Sequence, residues 1–307
     1  MEMRGRVILL WLAACACGWA ETLTIATYNV ENYGAADRMT ENGYRKEYPK
    51  PEVQKAALRK VMRAVDADVW VLQEIGGAEY VRELQRDLRR EGVEYPHTAV
   101  IEAADDARRV AVLSRRAFAE VVRHTELEFR YFGEREKVKR GLIEVRFETA
   151  MGDVTLFGVH LKSRYTDRAD DPRSAMRREG EATAIRDAVL RRFPEPAKAR
   201  FLVVGDFNDE RASRTLQRMQ KRGDTTIADV LPAQDSRGEA WTHVYRKQDS
   251  YTRVDHVLVS PGLADAVQGG AARIYDGEGV KEASDHRPVV VTLEWVAEQE
   301  ETTNGHD

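Results

Sequence analysis

The chain has 307 residues, is 42% hydrophobic and 33% charged, and carries a net charge of -4. Such a composition suits a soluble globular protein with enough residues for one large core, and its acid–base balance excludes an overall basic, nucleic-acid-coating character. Both cysteines, Cys15 and Cys17, fall in the N-terminal segment, so a processed chain has neither disulfides nor cysteine-based metal sites.

Arg4 and Arg6 precede an apolar run over residues 7–17, closed by Gly18-Trp19-Ala20. The run is too short to span a bilayer and has the form of a secretory signal. Residues 1–20 are therefore expected to be removed, leaving a secreted or periplasmic domain over residues 21–296. Leu12-Ala13-Ala14-Cys15 also has the form of a bacterial lipobox, so the alternative is a membrane-anchored lipoprotein acylated at Cys15. Residues 297–307 are polar and lack periodicity, which predicts a disordered tail.

Along the chain, Leu23, Ile25 and Thr27 alternate with their neighbours and predict a strand running into Asn29-Val30-Glu31-Asn32. A polar, Tyr-rich excursion fills residues 35–51, and Pro51 suits the first turn of a helix whose buried face is Leu58, Val61, Met62 and Val65. Asp68-Val69-Trp70-Val71-Leu72 is a short buried strand that delivers Gln73-Glu74, and Val81, Leu84 and Leu88 align on a second helix over residues 78–90. Strand-like pieces follow around residues 98–101 and 110–113. Alternation at Ile143, Val145 and Phe147 and at Val154, Leu156 and Gly158 predicts an antiparallel pair that delivers His160. Asp171-Pro172 reads as the N-cap and first turn of a helix with Ala182, Ile185, Val189 and Phe193 on one face.

The apolar run Phe201-Leu202-Val203-Val204 is too short for a helix and is closed by Gly205, so it predicts a buried strand with Asp206 and Asn208 at its mouth. Residues two apart in extended backbone point the same way, which aims one carboxylate and one carboxamide at one small volume. A helix is expected over residues 211–221 and strands over residues 241–245 and 254–259, the second with Asp255 inside it. An unpaired carboxylate there is costly, so a partner such as His286 is expected. Ser284-Asp285-His286-Arg287-Pro288 precedes a last strand of alternating Val289, Val291, Leu293 and Trp295. No repeat or linker divides residues 22–296, which predicts one domain of strands with interspersed helices, most simply two sheets packed face to face with helices outside.

Asn29, Glu31, Glu74, His160, Asp206, Asn208, Asp255, Asp285 and His286 thus gather at strand ends or adjoining loops. Carboxylates and carboxamides without cysteine suit a hard cation such as Mg2+ or Mn2+, which completes its shell with water and substrate phosphate. His97, His124, His243, His256 and His306 lack a motif and are read as ordinary structural or surface histidines.

In this order the residues resemble the endonuclease/exonuclease/phosphatase superfamily, which includes pancreatic-type deoxyribonuclease, apurinic/apyrimidinic endonucleases, bacterial sphingomyelinases and inositol polyphosphate phosphatases. Tyr28-Asn29-Val30-Glu31, Leu72-Gln73-Glu74, His160-Leu161, Gly205-Asp206-Phe207-Asn208, Arg253-Val254-Asp255 and Ser284-Asp285-His286-Arg287-Pro288 are similar to its successive motifs. The resemblance implies an α+β, deoxyribonuclease-I-like four-layer sandwich of two packed, mainly antiparallel sheets flanked by helices. It further implies that Glu74 and Asn29, with Glu31 or Asp285, hold the metal, and that Asp206 handles the attacking water. His286, polarised by Asp255, would contact the scissile phosphate or assist the attacking water, Asn208 would stabilise the pentavalent transition state, and His160 would supply an acid to the leaving oxygen.

The expected activity is that of a secreted metal-dependent phosphodiesterase, foremost a nuclease acting on nucleic acid; a sphingomyelinase-like lipid phosphodiesterase or a phosphomonoesterase is the alternative, and a non-catalytic binding module has no use for such a site. For lipid work an exposed apolar hairpin is expected, with Phe129-Arg130-Tyr131-Phe132 as its candidate.

Overall fold

The computed structural model describes residues 20–296 apart from 41 and 167. The leader, Cys15 and the tail over residues 297–307 lie outside the described residues.

The first strand, β1 (Ala20–Tyr33), runs through the first polar motif, and the excursion after it folds as a hairpin of β2 (Ala36–Thr40) and β3 (Gly43–Tyr48). Helix α1 (Glu52–Val65), strand β4 (Val69–Ile75) and helix α2 (Ala78–Arg90) follow the hydrophobic spacing of the sequence. Next come β5 (His97–Ile101), β6 (Arg109–Ser114), β7 (Glu120–His124) and the hairpin of β8 (Glu128–Tyr131) and β9 (Glu134–Lys137). The strands β10 (Leu142–Phe147) and β11 (Val154–His160) precede helix α3 (Ala175–Arg192). Then β12 (Phe201–Asp206), helix α4 (Arg214–Gln220), and the short β13 (Lys221–Arg222), β14 (Thr225–Thr226), β15 (Asp229–Val230) and β16 (Ala233–Gln234) bring the chain to the hairpin of β17 (His243–Tyr245) and β18 (Ser250–Thr252). The chain closes with β19 (Asp255–Val259), β20 (Ala272–Ile274), α5 (Val280–Ala283) and β21 (Val289–Val296).

Seven strands form one sheet in the order β16-β20-β21-β1-β4-β6-β5, and six form the other in the order β15-β19-β12-β11-β10-β7. Both are mainly antiparallel, and each has a parallel pair at its centre, β1 with β4 and β11 with β12. Between the sheets lies an apolar layer that includes Ile25, Val71, Val112, Ile143, Leu156, Val204, Val257 and Val291. A second layer joins the seven-stranded sheet to α1, α2 and α5, and a third joins the six-stranded sheet to α3 and α4. The result is the expected four-layer sandwich. Gly158 allows the two sheets to approach, because a Cβ there would lie 2.8 Å from both Ile143 and Val71 side chains.

Two local readings are corrected. The helix expected to begin at Asp171-Pro172 starts at Ala175, because Arg173 and Ser174 turn into left-handed backbone (φ 65° and 51°). Asp171 still caps it from a distance, its carboxylate accepting the N–H groups of Met176 (2.9 Å) and Arg177 (3.1 Å). In the β8–β9 hairpin, Phe129 and Tyr131 are buried in the layer that contains α3, leaving Phe132 exposed. Other hairpins also expose apolar side chains, Met39, Tyr44 and Tyr48 on β2 and β3 and Tyr245 and Tyr251 on β17 and β18.

Candidate active site

The two central parallel pairs end at one place. β1 and β4 deliver Asn29 and Glu74, β11 and β12 deliver His160 and Asp206 in register with each other, and Asp255 starts β19 opposite Asp206. Sharp local geometry aims these groups: Glu31, Asn32, Glu74 and Asn208 all have positive φ, between 47° and 59°. Backbone in that region is costly for residues with a side chain and collects where a site needs it. Gly205 has φ 148°, and a Cβ on it would meet the Val159 carbonyl oxygen at 2.0 Å, so the residue ahead of Asp206 must be glycine.

Asp206 is fully enclosed and is the hub. Its Oδ2 accepts from Asn29 Nδ2 at 3.0 Å and from Asn208 Nδ2 at 3.2 Å, while Oδ1 accepts the Asn208 N–H at 2.8 Å. His160 Nε2 stands 3.7 Å and His286 Nε2 4.0 Å from the same Oδ2. Those gaps are too long for direct hydrogen bonds and suit a shared polar atom between them. On its other side, His286 Nδ1 lies 2.8 Å from Asp255 Oδ2, the partnership expected for a carboxylate in an apolar strand. Thr242 Oγ1 accepts the N–H groups of Val254 and Asp255, and Ser284 Oγ donates to the Asn29 carbonyl while accepting the His286 N–H. Motifs far apart in sequence are thereby tied to one another.

Electrostatics divides the cluster. Burial, then the negative charge of Asp255, pushes the Asp206 carboxyl up to about 6, against the opposing pull of His286, Asn208 and Asn29. Burial acts to lower the His286 imidazole, but Asp255, with Asp206 and Asp285 behind it, holds it well above the ordinary histidine range. His160 goes the other way: burial, then Arg140, His286 and Arg108, hold it well below that range. His160 is accordingly neutral at neutral pH in the free protein and offers a hydrogen bond rather than the proton expected of an acid. The Asn208 side-chain amide donates to Leu161 O at 2.9 Å and to Asp206. Its work in this state is to hold Asp206.

At the other pole, Glu74 Oε2 accepts the Asn32 N–H at 3.1 Å, and Glu74 Oε1 lies 3.9 Å from His160 Nε2. Burial and the nearby Asp285 raise the Glu31 carboxyl, with Lys50 and Arg246 opposing. Burial, held back by Glu31, lowers Lys50 to about 8, and its ammonium donates to the Glu31 carbonyl at 3.1 Å. Acidic groups crowded until one is raised, with hard oxygen donors and no thiol, fit a divalent cation. Among the described residues, however, Glu31, Glu74 and Asp285 do not form a group whose ligating atoms lie within 4.8 Å of one another. The triads that do are Asp206–Asp255–His286 and His243–Asp285–His286.

His243 is the residue that sequence reasoning missed, having been read as structural. Its Nε2 lies 3.7 Å from Asp285 Oδ2, and its ring centroid is 4.6 Å from that of His286. Burial acts to raise Asp285, but His243 and His286 bring it down to about 2. No local motif marks His243 or Lys50; the one available signal for His243 is its place next to Thr242, ahead of the Asp255 strand. His256, by contrast, is structural as read: it is buried, with Nε2 2.9 Å from the Asp209 carbonyl oxygen.

Solved structures show the same fold at low identity. Sphingomyelinase C from Streptomyces griseocarneus is 16% identical, with TM-score 0.60, covering 89% of this chain and 99% of that one. The human Nocturnin catalytic domain is 16% identical, with TM-score 0.61 over 89% and 95% of the two chains. The 3'-5' exonuclease NExo from Neisseria meningitidis is 18% identical, with TM-score 0.58 over 89% and 100%. No curated protein matches the sequence. The sequence does match the Endonuclease/Exonuclease/phosphatase family over residues 26–286, a span that holds every motif from Asn29 to His286. The chain belongs to that family of phosphate-ester hydrolases.

Proposed function

We propose that this protein is a secreted phosphodiesterase that hydrolyses nucleic acid by direct attack of water, with Mg2+ or Mn2+ as its ion. The observation that carries the chemistry is the buried Asp206–His286–Asp255 cluster, in which a carboxylate and an imidazolium face each other across a gap of 4.0 Å. Ionised Asp206 accepts a proton from the attacking water as the new P–O bond forms and the bond from phosphorus to the leaving oxygen breaks, that oxygen taking up a proton from solvent. His286, charged and oriented by Asp255, donates through Nε2 to a phosphate oxygen as negative charge builds there. His160 donates a neutral hydrogen bond beside it, while Asn29 and Asn208 fix the Asp206 carboxylate. Glu74, Glu31, Asn29 and Asp285 are the residues to hold the cation, whose contribution when bound is Lewis-acid stabilisation of the phosphoryl oxygens.

A polyanionic substrate is favoured by the helix that follows Asp206 and Asn208. A depression of about 630 Å³ there is lined by Arg214, Arg218 and Lys221 together with Gln217, Gln220 and Gly223; Glu179 pairs with Arg218 at 2.8 Å and stands 4.0 Å from Arg214, and the excess of positive charge that remains attracts a phosphate backbone. One observation favours the lipid reading in second place: Met39 and Tyr44 are exposed on the β2–β3 hairpin beside the basic Arg45 and Lys46.

A panel of plasmid DNA, RNA, sphingomyelin vesicles and a chromogenic phosphodiester, each with and without chelator, tests the proposal. Cleavage of nucleic acid that stops with chelator and returns with Mg2+ or Mn2+ is expected. Turnover of sphingomyelin with none of DNA or RNA would establish the second reading instead, and full turnover in chelator by metal-free protein would remove the cation. The location is tested by intact mass from the native host, where a chain beginning at Glu21 is expected and an acylated Cys15 would place it on a membrane.

A further inference from the structure

We infer that His243, Asp285 and His286 form a second cation site, selective for a borderline transition ion of the Zn2+ class, and that filling it opposes turnover. His243 Nε2 is 3.7 Å from Asp285 Oδ2, and the ligating atoms of all three residues lie within 4.8 Å of one another. Tetrahedral donors at ~2.1 Å from a zinc ion are ~3.4 Å apart, so His243 and Asp285 at 3.7 Å already stand near ligand spacing and His286 has to close by at most about 1.4 Å.

The donors are already positioned by backbone rather than by chance contact. His243 and His286 face each other in an antiparallel bridge; the Val244 N–H donates to the Asp285 carbonyl at 3.0 Å, and the Arg287 N–H to the Thr242 carbonyl at 2.7 Å. His286 Nδ1 is bonded to Asp255, the outer carboxylate that typically orients a metal-ligating imidazole and leaves Nε2 as the donor. His243 and Asp285 side chains are 25% and 32% exposed, so an ion has a way in.

Chemistry distinguishes this triad from the oxygen set of Glu31, Glu74 and Asn29. Two imidazoles with one carboxylate suit zinc and its neighbours, whereas Mg2+ takes oxygen ligands and retains its waters. An ion held here occupies His286 Nε2, the atom assigned to the phosphate, and competes for Asp285. Inhibition is the consequence. Only that consequence rests on the hydrolytic reading given above; the binding does not.

The test is calorimetric titration of the chelator-stripped full chain with Zn2+, with Co2+ absorption as a second readout of nitrogen ligation. Wild type is expected to bind Zn2+, and His243→Phe and His243→Gln to bind it at least tenfold more weakly. His124→Gln, which removes a histidine paired with Glu144 elsewhere, should keep the full affinity. Circular dichroism verifies each fold, and the Gln variant keeps a polar side chain should Phe disturb the hairpin. With Mg2+ saturating, Zn2+ should inhibit wild type, and the inhibitory concentration should rise in the His243 variants by the same factor as their Zn2+ dissociation constant. Equal Zn2+ affinity in wild type and both folded His243 variants would overturn the site. Weaker binding without a matching change in inhibition would overturn its role in turnover, and absence of hydrolysis in any metal would strike the hydrolytic reading while leaving the binding result intact.

Discussion

The two sheets meet at one cleft but bring unlike chemistry to it. The seven-stranded sheet supplies the buried Asn29 from regular strand and Glu31 and Glu74 from bulged, left-handed backbone, and the side chains of Glu31 and Glu74 remain 35% and 18% exposed. From the six-stranded sheet come His160, Asp206 and Asp255, buried on regular extended strands, and they enclose His286, which is buried on the loop leading into β21 of the other sheet. Accessible oxygen donors suit an exchangeable ion with its waters, whereas enclosed titratable groups have their proton affinities set by burial and by each other. One side is built to bind and the other to move protons.

The largest effect should come from the enclosed side. A general acid or base typically contributes ~10²- to 10⁴-fold, so His286→Ala and Asp206→Ala should each lose at least that much activity on a chromogenic phosphodiester while circular dichroism stays native. If Asp255 serves to charge and orient His286, the double variant Asp255→Ala with His286→Ala should be barely worse than His286→Ala alone. Additive losses would break the pair into independent residues, and near-normal activity in His286→Ala would leave the enclosed side without a role.

A smaller and different effect is expected on the accessible side. Glu74→Gln should raise the Mg2+ or Mn2+ concentration needed for half-maximal activity by roughly tenfold or more, and much of the rate should return at high metal. A loss that no metal concentration restores would show that Glu74 belongs with the proton-transfer groups, and the division between the sheets would fail.

The same contrast explains what the sequence could reveal. Short apolar runs such as Val69-Trp70-Val71-Leu72 and Phe201-Leu202-Val203-Val204 are strands because every side chain has a core on one face or the other, so the polar residues that end them are placed with them. Asp255 was legible because an unpaired carboxylate in such a strand demands a partner. His243 was not, because it opens the short hairpin strand β17, which has no buried face to fix the direction of a side chain, and Lys50 was not, because it reaches the site from irregular backbone after β3. The start of α3 was displaced for a related reason, since the left-handed turn at Arg173 and Ser174 answers to tertiary packing and has no glycine to announce it. The opposed charge states of His160 and His286 depend on which neighbours burial provides, and those are tertiary facts.

The smallest predicted effect probes the contact between the two sides. Asn29, on β1, donates to Asp206 Oδ2 across the cleft at 3.0 Å, and this bond stabilises the ionised carboxylate. Wild-type activity should fall on acidification through about 6, because protonated Asp206 no longer accepts the proton of water. That limb reports the apparent titration of the whole Asp206–His286–Asp255 cluster. A hydrogen bond to a charged group is worth ~1.5–3 kcal/mol net, and one pKa unit corresponds to ~1.4 kcal/mol. Removing the amide in Asn29→Ala therefore leaves Asp206 easier to protonate, and the acidic limb should move up by about one unit with the same sign in Mg2+ and in Mn2+. A fall in activity at every pH with the limb unmoved would assign Asn29 wholly to the ion. A shift that vanishes when Asp206→Asn is combined with it would confirm that the seven-stranded sheet also sets the proton affinity of the six-stranded one.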